Sequence, residues 1–149
     1  MAYLLDTTIL LRLTNEADVQ YTVAVHAVNV LHKRGEVLHL TAQNLVEFRH
    51  AATRPKNVNG LGLSAADADY RTVGHEVVFP FLPETPDIYP AWKAIVSALG
   101  IIGKQVHDAR LVAVCHVHQV THLLTFNTVD FAWLARYGPG VVVVDPASV

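Results

Sequence analysis

Hydrophobic and polar positions along this chain switch repeatedly between a period of two and a period near 3.6. Ala2 to Leu5 is a short apolar run closed by Asp6, the pattern of a buried strand. Thr7 to Leu13 continues at helical spacing and closes near Asn15. Tyr21 to Lys33 predicts a second helix: Ala24, Val28 and Leu31 share a face, and Gly35 stands just past the end. Glu36 to Leu40 alternates as a strand. Ala42 to Thr53 predicts a third helix, stopped at Arg54-Pro55 because the residue before proline disfavours helical angles. Lys56 to Gly62 reads as a loop, and Ser64 offers an N-cap for a fourth helix through about His75. Pro80, Pro83 and Pro86 mark a connection. Ile88 to Leu99, ended by Gly100, and His107 to Val117 are the next helices. A strand over His122 to Phe126, a turn and short helix over Asn127 to Tyr137, and a last strand over Val141 to Val144 complete the pattern.

Short apolar strands alternating with helices predict a mainly parallel sheet covered on both faces, an α/β fold built as a three-layer α/β/α sandwich. No repeat, low-complexity tract or linker divides the chain, so residues 1–149 are expected to form one domain. Ligands of such sheets bind beyond the carboxyl ends of the strands. The strand-to-helix junctions are therefore where chemistry is sought.

Composition narrows this only a little. With 52% apolar and 16% charged residues the chain suits a packed globule. No apolar run approaches the ~18 residues of a membrane span. The start lacks a basic leader and is interrupted by Asp6 and Arg12; with one cysteine, Cys115, this predicts a reducing, cytoplasmic setting. A net charge of −2 neither advertises nor forbids nucleic-acid binding, since carboxylates that hold cations lower the total.

Four acids lie at or near the junctions. Asp6 ends the first strand and suits either an N-cap or a ligand. A phosphoaspartate phosphatase would need a second acid two residues on, where Thr8 stands. Glu47 lies at the edge of the stripe formed by Leu45, Phe48 and Ala52, and a solvated surface role competes with a functional one. Asp108 precedes Leu111, Val112 and Cys115 on one helical face. Either it serves a helix start or, facing the core side, it requires a cation or donors to stay ionised. Asn127 and Asp130 resemble a capping box with Asp replacing Glu. Gathered at one sheet edge, such acids repel each other unless a cation intervenes, and oxygen-only ligation suits Mg²⁺ or Mn²⁺. Hard cations on carboxylates activate water and stabilise leaving oxygens in phosphodiester cleavage.

At these residues the sequence resembles the PIN-domain family, particularly the VapC-like toxins of bacterial toxin–antitoxin pairs. The matching pieces are LLDTTILLR with Asp6, NLVEFRHAATRP with Glu47, GKQVHDARLVAV with Asp108, and HLLTFNTVDF with Asn127 and Asp130. They occur in the family's order over nearly the whole chain. The resemblance implies an RNase using Mg²⁺ or Mn²⁺ and an activated water, leaving a 5′-phosphate and a 3′-hydroxyl. It further implies a homodimer and an antitoxin whose segment occludes the acidic pocket. Asp6, Glu47 and Asp108 would be the principal catalytic and metal-organising residues, with Thr8 assisting. Asn127 departs from the fourth acid that many members carry; its amide oxygen can ligate but brings no charge, so either Asp130 serves as an auxiliary acid or the site works with one tightly held metal. A PIN fold that has lost efficient catalysis and works by binding RNA or protein is the alternative.

The remaining candidates are weaker. Among nine histidines, His116 and His118 point to different helical faces, and His116 and His122 lack ligand spacing. His107, beside Asp108, is the candidate substrate contact. Arg49, Arg54, Lys56, Lys104 and Arg110 flank the motif helices and suit either RNA phosphates or plain solvent exposure. Trp92 and Trp133 are expected in the core or a dimer interface, not as stacking platforms. KNVNGLG lacks P-loop spacing, and Cys115, on an apolar face, reads as inert packing.

Overall fold

The computed structural model describes residues 1–149. Strands β1 (Ala2–Leu5), β2 (Val37–His39), β3 (His122–Leu124) and β4 (Val142–Val144) form one sheet in the order β2-β1-β3-β4. All three pairings are parallel, with Tyr3 opposite both Leu38 and His122, and His122 opposite Val142. Parallel neighbours require crossovers. These are made by α1 (Thr7–Thr14), α2 (Tyr21–Lys33), α3 (Ala42–Thr53), α4 (Ala65–Val78), α5 (Ile88–Leu99), α6 (Gln105–His118) and the short α7 (Thr128–Ala132).

The pleat of β1 assigns the layers. Tyr3 and Leu5 point into a core shared with Ile9 and Leu10 of α1, Val28 and Leu31 of α2, and Phe48 and Ala52 of α3. Leu4, between them, points into the opposite core with Ile88 and Ile95 of α5, Val112 and Cys115 of α6, and Phe131 of α7. This is the three-layer sandwich the pattern predicts. No helix is long and apolar enough to cross a membrane.

Most helix bounds agree with the sequence reading; the differences have local causes. Helix α6 begins at Gln105, not His107, because Gly103 (φ +67°) starts a turn in which its carbonyl accepts from Val106 N and that of Lys104 from His107 N. Helix α4 continues past His75 to Val78. Leu40 leaves β2 and exchanges backbone bonds with the proline-rich connection: its N–H donates to Pro80 O (3.0 Å) and its carbonyl accepts from Leu82 N (2.7 Å). β3 stops at Leu124; the Thr125 N–H still donates to Val144 O (3.1 Å), while its hydroxyl reaches Asp6 at the end of β1.

Candidate metal centre in an acidic cleft

Asp6 follows the last residue of β1, where its N–H donates to Leu124 O (2.9 Å) and fixes the junction to β3. Its side chain caps α1: Oδ1 accepts from Thr7 N, and Oδ2 accepts the hydroxyls of Thr8 and Thr125, each at 2.8 Å. The capping reading is thus realised in a buried carboxylate held by three donors. Burial pushes its pKa above the usual range, while the Thr125, Thr8 and Thr7 hydrogen bonds pull it back.

Glu47 approaches from the side layer through α3. That helix is anchored at its start, where the Thr41 hydroxyl accepts from Asn44 N and Asn44 Oδ1 accepts from Thr41 N. Asn44 is fully buried, and its amide donates to Leu5 O (3.0 Å), which ties α3 to the end of β1. One turn on, Glu47 accepts from Thr7 Oγ1 (2.8 Å) and from Gln43 Nε2 (2.7 Å). Its partners are neutral donors.

Asp108 enters from the opposite layer at the first turn of α6, and Asp130 from α7 beyond β3. Neither carboxylate accepts a protein hydrogen bond. Burial, and then the charges of Asp6, Glu47 and Asp130, push the Asp108 carboxyl up to about 7, with Lys104 opposing. That mutual influence reports four acids within Coulombic reach of one another. None takes part in the four ion pairs of the structure, which join Met1 to Glu36, Arg12 to Asp18, Arg49 to Asp69 and Arg110 to Glu84.

These groups border a cleft of about 720 Å³ lined by Glu47, Asp108, Asn127 and Asp130 together with Lys104, His107 and Arg110, among others. Asp6 lies beneath its floor, only 5% exposed. No three His, Cys, Asp or Glu side chains stand close enough to enclose an ion unaided, so the acids share a cleft without forming a closed cage. The carboxylates of Glu47, Asp108 and Asp130 and the amide of Asn127 offer hard oxygen donors. That chemistry fits a hard divalent ion which keeps several water ligands, as Mg²⁺ does.

The other expected residues separate. Thr8 supports Asp6 and also receives Phe126 N (3.4 Å). Lys104 and His107 line the cleft, whereas Arg49 does not: it lies on the outer side of α3, paired with Asp69 of α4. The Asn127 side chain caps nothing, so the predicted capping box does not form; its N–H donates to Thr125 Oγ1 (2.8 Å). Arg54 braces its own loop through Asn59 O (3.2 Å). His116 packs against Tyr137 and His122 against Tyr3. Cys115 is buried, and burial pushes its thiol up to about 12, where it is inert. Trp133 is 40% exposed and so not in the core, one of the two places expected for it.

Sequence reasoning missed Thr7, Thr125, Gln43, Asn44 and Glu84. Gln43 precedes Glu47 by one turn, and that spacing was a readable signal. It also spans the cleft, donating to His107 O (2.8 Å) and accepting from Arg110 Nη1 (3.0 Å), while Arg110 Nη2 donates to Glu84 Oε2 (2.6 Å). Glu84 comes from the proline-rich connection, where no periodicity marks it.

The PIN domain family's sequence profile matches residues 3–136, a span that includes every acid of the cleft, and the chain belongs to that family. It matches none of the curated proteins. Among solved structures, it is similar to a chain of VapBC2 from Rickettsia felis bound to a DNA fragment from their promoter. The TM-score is 0.72 and the identity 14%, over 97% of this chain and 98% of that one. A toxin–antitoxin complex from Klebsiella pneumoniae gives TM-score 0.64 and 22% identity, over 97% of each chain. The VapC20 toxin of Mycobacterium tuberculosis, which cleaves the sarcin-ricin loop, gives 0.63 and 16%, over 88% of this chain and 94% of that one. At such identities the likeness is one of fold.

Proposed function

We propose that this protein is a divalent-metal-dependent endoribonuclease and the toxin of a toxin–antitoxin pair. The observation that carries the reading is the set Glu47, Asp108 and Asp130, three acids from three helices lining one cleft, with the buried Asp6 acting on Asp108 and no cationic side chain paired to any of the four. Family membership supplies the prior; the acids supply the chemistry. A bound Mg²⁺ or Mn²⁺ would activate water and offset charge on the leaving oxygen of a phosphodiester. Asp108 and Asp130, without protein donors, are the acids freest to ligate; Asp6 and Glu47 are held in place by hydroxyls and an amide. The amide oxygen of Asn127 stands ready as a neutral ligand. Lys104, His107 and Arg110 line the same cleft and would receive RNA phosphates.

The partners follow the same reasoning. The Klebsiella pneumoniae structure is a toxin–antitoxin complex, which supports an antitoxin partner for this chain; that its segment covers the acidic cleft follows from the family resemblance. The family resemblance supports a homodimer, and the single buried thiol suits a cytoplasmic setting.

A second reading, a catalytically weak PIN fold that binds RNA or protein, draws on Asn127, which brings no charge where the resemblance implies a fourth acid. Incubating structured and unstructured RNAs with protein and Mn²⁺, beside an Asp6→Asn control, separates the two. Cleavage lost in the control and in EDTA is expected. The same RNA pattern with both proteins would leave only the binding module.

A further inference from the structure

Beside the acidic cleft lies a second, smaller one of about 250 Å³, walled by Tyr89 and Trp92 of α5 and by Val106, His107 and Arg110 of α6. His107 and Arg110 belong to both, so the two clefts adjoin. We propose that this corner is a subsite for one unpaired RNA base next to the scissile phosphate. The inference rests on the nuclease reading for its substrate and on separate observations for its geometry.

Three features point to a stacking site. Tyr89 is 64% exposed and outside both cores, so one face of its ring is open to a ligand. Trp92 is fixed: one edge packs on the core, and Nε1 donates to Val106 O (2.7 Å), which leaves the indole oriented without help from a ligand. The rings stand 5.8 Å apart, tilted by 36°, so they form an open corner and not a closed stack. Arg110 supplies the third wall and is held in plane by Glu84 and Gln43. An open aromatic face with a guanidinium at its edge suits a base stacked on its outer side, with its phosphate continuing into the acidic cleft.

Enclosure selects the form of the nucleic acid. A base in a duplex offers no free face, and the A-form major groove is too narrow for side chains, so only a looped or single-stranded nucleotide could enter. Double-stranded RNA would meet Tyr89 as an obstacle. The subsite therefore makes single-strandedness at one flanking nucleotide a condition of productive binding, without reading the base's identity.

The test measures binding, so it does not depend on catalysis. In an Asp6→Asn, Trp133→Phe background, Trp92 is the sole tryptophan and its fluorescence reports stacking. Titration with a short single-stranded oligoribonucleotide in Mg²⁺ is expected to quench it. The same sequence as a duplex, or carrying an abasic ribose at each position in turn, should reveal one position whose loss removes the quenching. Adding Tyr89→Ala should weaken single-strand binding roughly 5- to 100-fold, the range of one lost base–aromatic stack, and Tyr89→Phe should restore it. Equal affinity for duplex and single strand, or no effect of Tyr89→Ala, would overturn the subsite even if wild-type protein cleaves RNA. So would a change of oligomeric state in Tyr89→Ala with RNA affinity intact, which would make the corner a contact between copies. Conversely, quenching without cleavage by wild-type protein would retain the subsite and remove the nuclease.

Discussion

At the scale of single residues, the carboxylates of the cleft divide into two kinds, those with built partners and those without. Asp6 and Glu47 are each held by two or three donors, while Asp108 has none and faces three like charges. Asp108→Asn is therefore expected to abolish cleavage and yet stabilise the metal-free protein at neutral pH. The sign follows from its pKa, raised from 3.8 to about 7. Between those values the native state holds a proton that the unfolded state has released, so stability falls as pH rises across the window. Removing the charge should raise Tm by on the order of a few °C near pH 7.5 in EDTA, a modest figure because the group is partly solvated. The gain should vanish near pH 4, as thermal scans at the two pH values would show; a lowered Tm at pH 7.5 would contradict it. Thr125 makes the complementary case. Its hydroxyl donates to Asp6 and accepts from Asn127 N–H, so Thr125→Val leaves two polar groups short of partners at no loss of volume. Urea denaturation should show a loss of about 1–3 kcal/mol, restored by Thr125→Ser.

At the scale of elements, what the chain disclosed depended on whether the relevant contact was local. Helices α2, α3 and α5 were legible because their stripes and stops lie within their own sequence: Gly35 after α2, Arg54-Pro55 after α3, Gly100 after α5. Asp6, Glu47 and Asp108 were legible as chemistry in an ordered set of motifs, but not as neighbours by spacing. What stayed hidden came from pairings between distant segments. The Gln43–Arg110–Glu84 chain joins three elements, and the Leu40–Phe81 bridge enlists a stretch whose prolines signal only a connection. The Asn127 capping box failed for a related reason, since Thr125, two residues earlier, already satisfies the Asn127 N–H and draws the turn towards Asp6. Asn44 shows how much one such pairing controls. Its amide fixes α3 to β1, and Glu47 rides on that helix. Asn44→Ala is expected to destabilise the fold by roughly 2–4 kcal/mol, through two or more buried groups left unpaired. In protein kept below its melting temperature, kcat should fall while circular dichroism stays native. Unchanged urea stability would show that the tether is not structural.

At the scale of the whole molecule, the cleft gathers side chains from both outer layers, Glu47 from α3 and Asp108 from α6, so its charge state bears on how the layers hold together. Two titrations act there and in the core with opposite signs. Asp108 makes the metal-free protein less stable as pH rises from about 4 to 7. His75 does the reverse. It is buried between α1, α3 and α4, its ring edge-on to Phe48 at 4.9 Å and its Nε2 3.2 Å from Thr14 Oγ1, and burial lowers its pKa from 6.5 to about 4. Between those values the unfolded chain binds a proton that the native state refuses, so stability rises with pH, by up to about 3 kcal/mol for a shift of that size. In wild-type protein without metal these two contributions oppose each other between pH 4.5 and 6.5, so together they leave Tm less dependent on pH than either would alone. Asp108→Asn removes one of them and should expose a Tm that climbs through the same range. A saturating divalent ion should do likewise in wild-type protein, because ligation displaces the proton from Asp108 and adds its own stabilisation, which grows with the ratio of free ion to Kd. The prediction is thus that mutation and metal both shift the pH profile towards a rising one, while His75→Phe with Asp108→Asn flattens it again. Thermal scans in EDTA and in Mn²⁺ at matched pH decide it: a wild-type profile whose shape ignores Mn²⁺ would mean that no cation reaches Asp108.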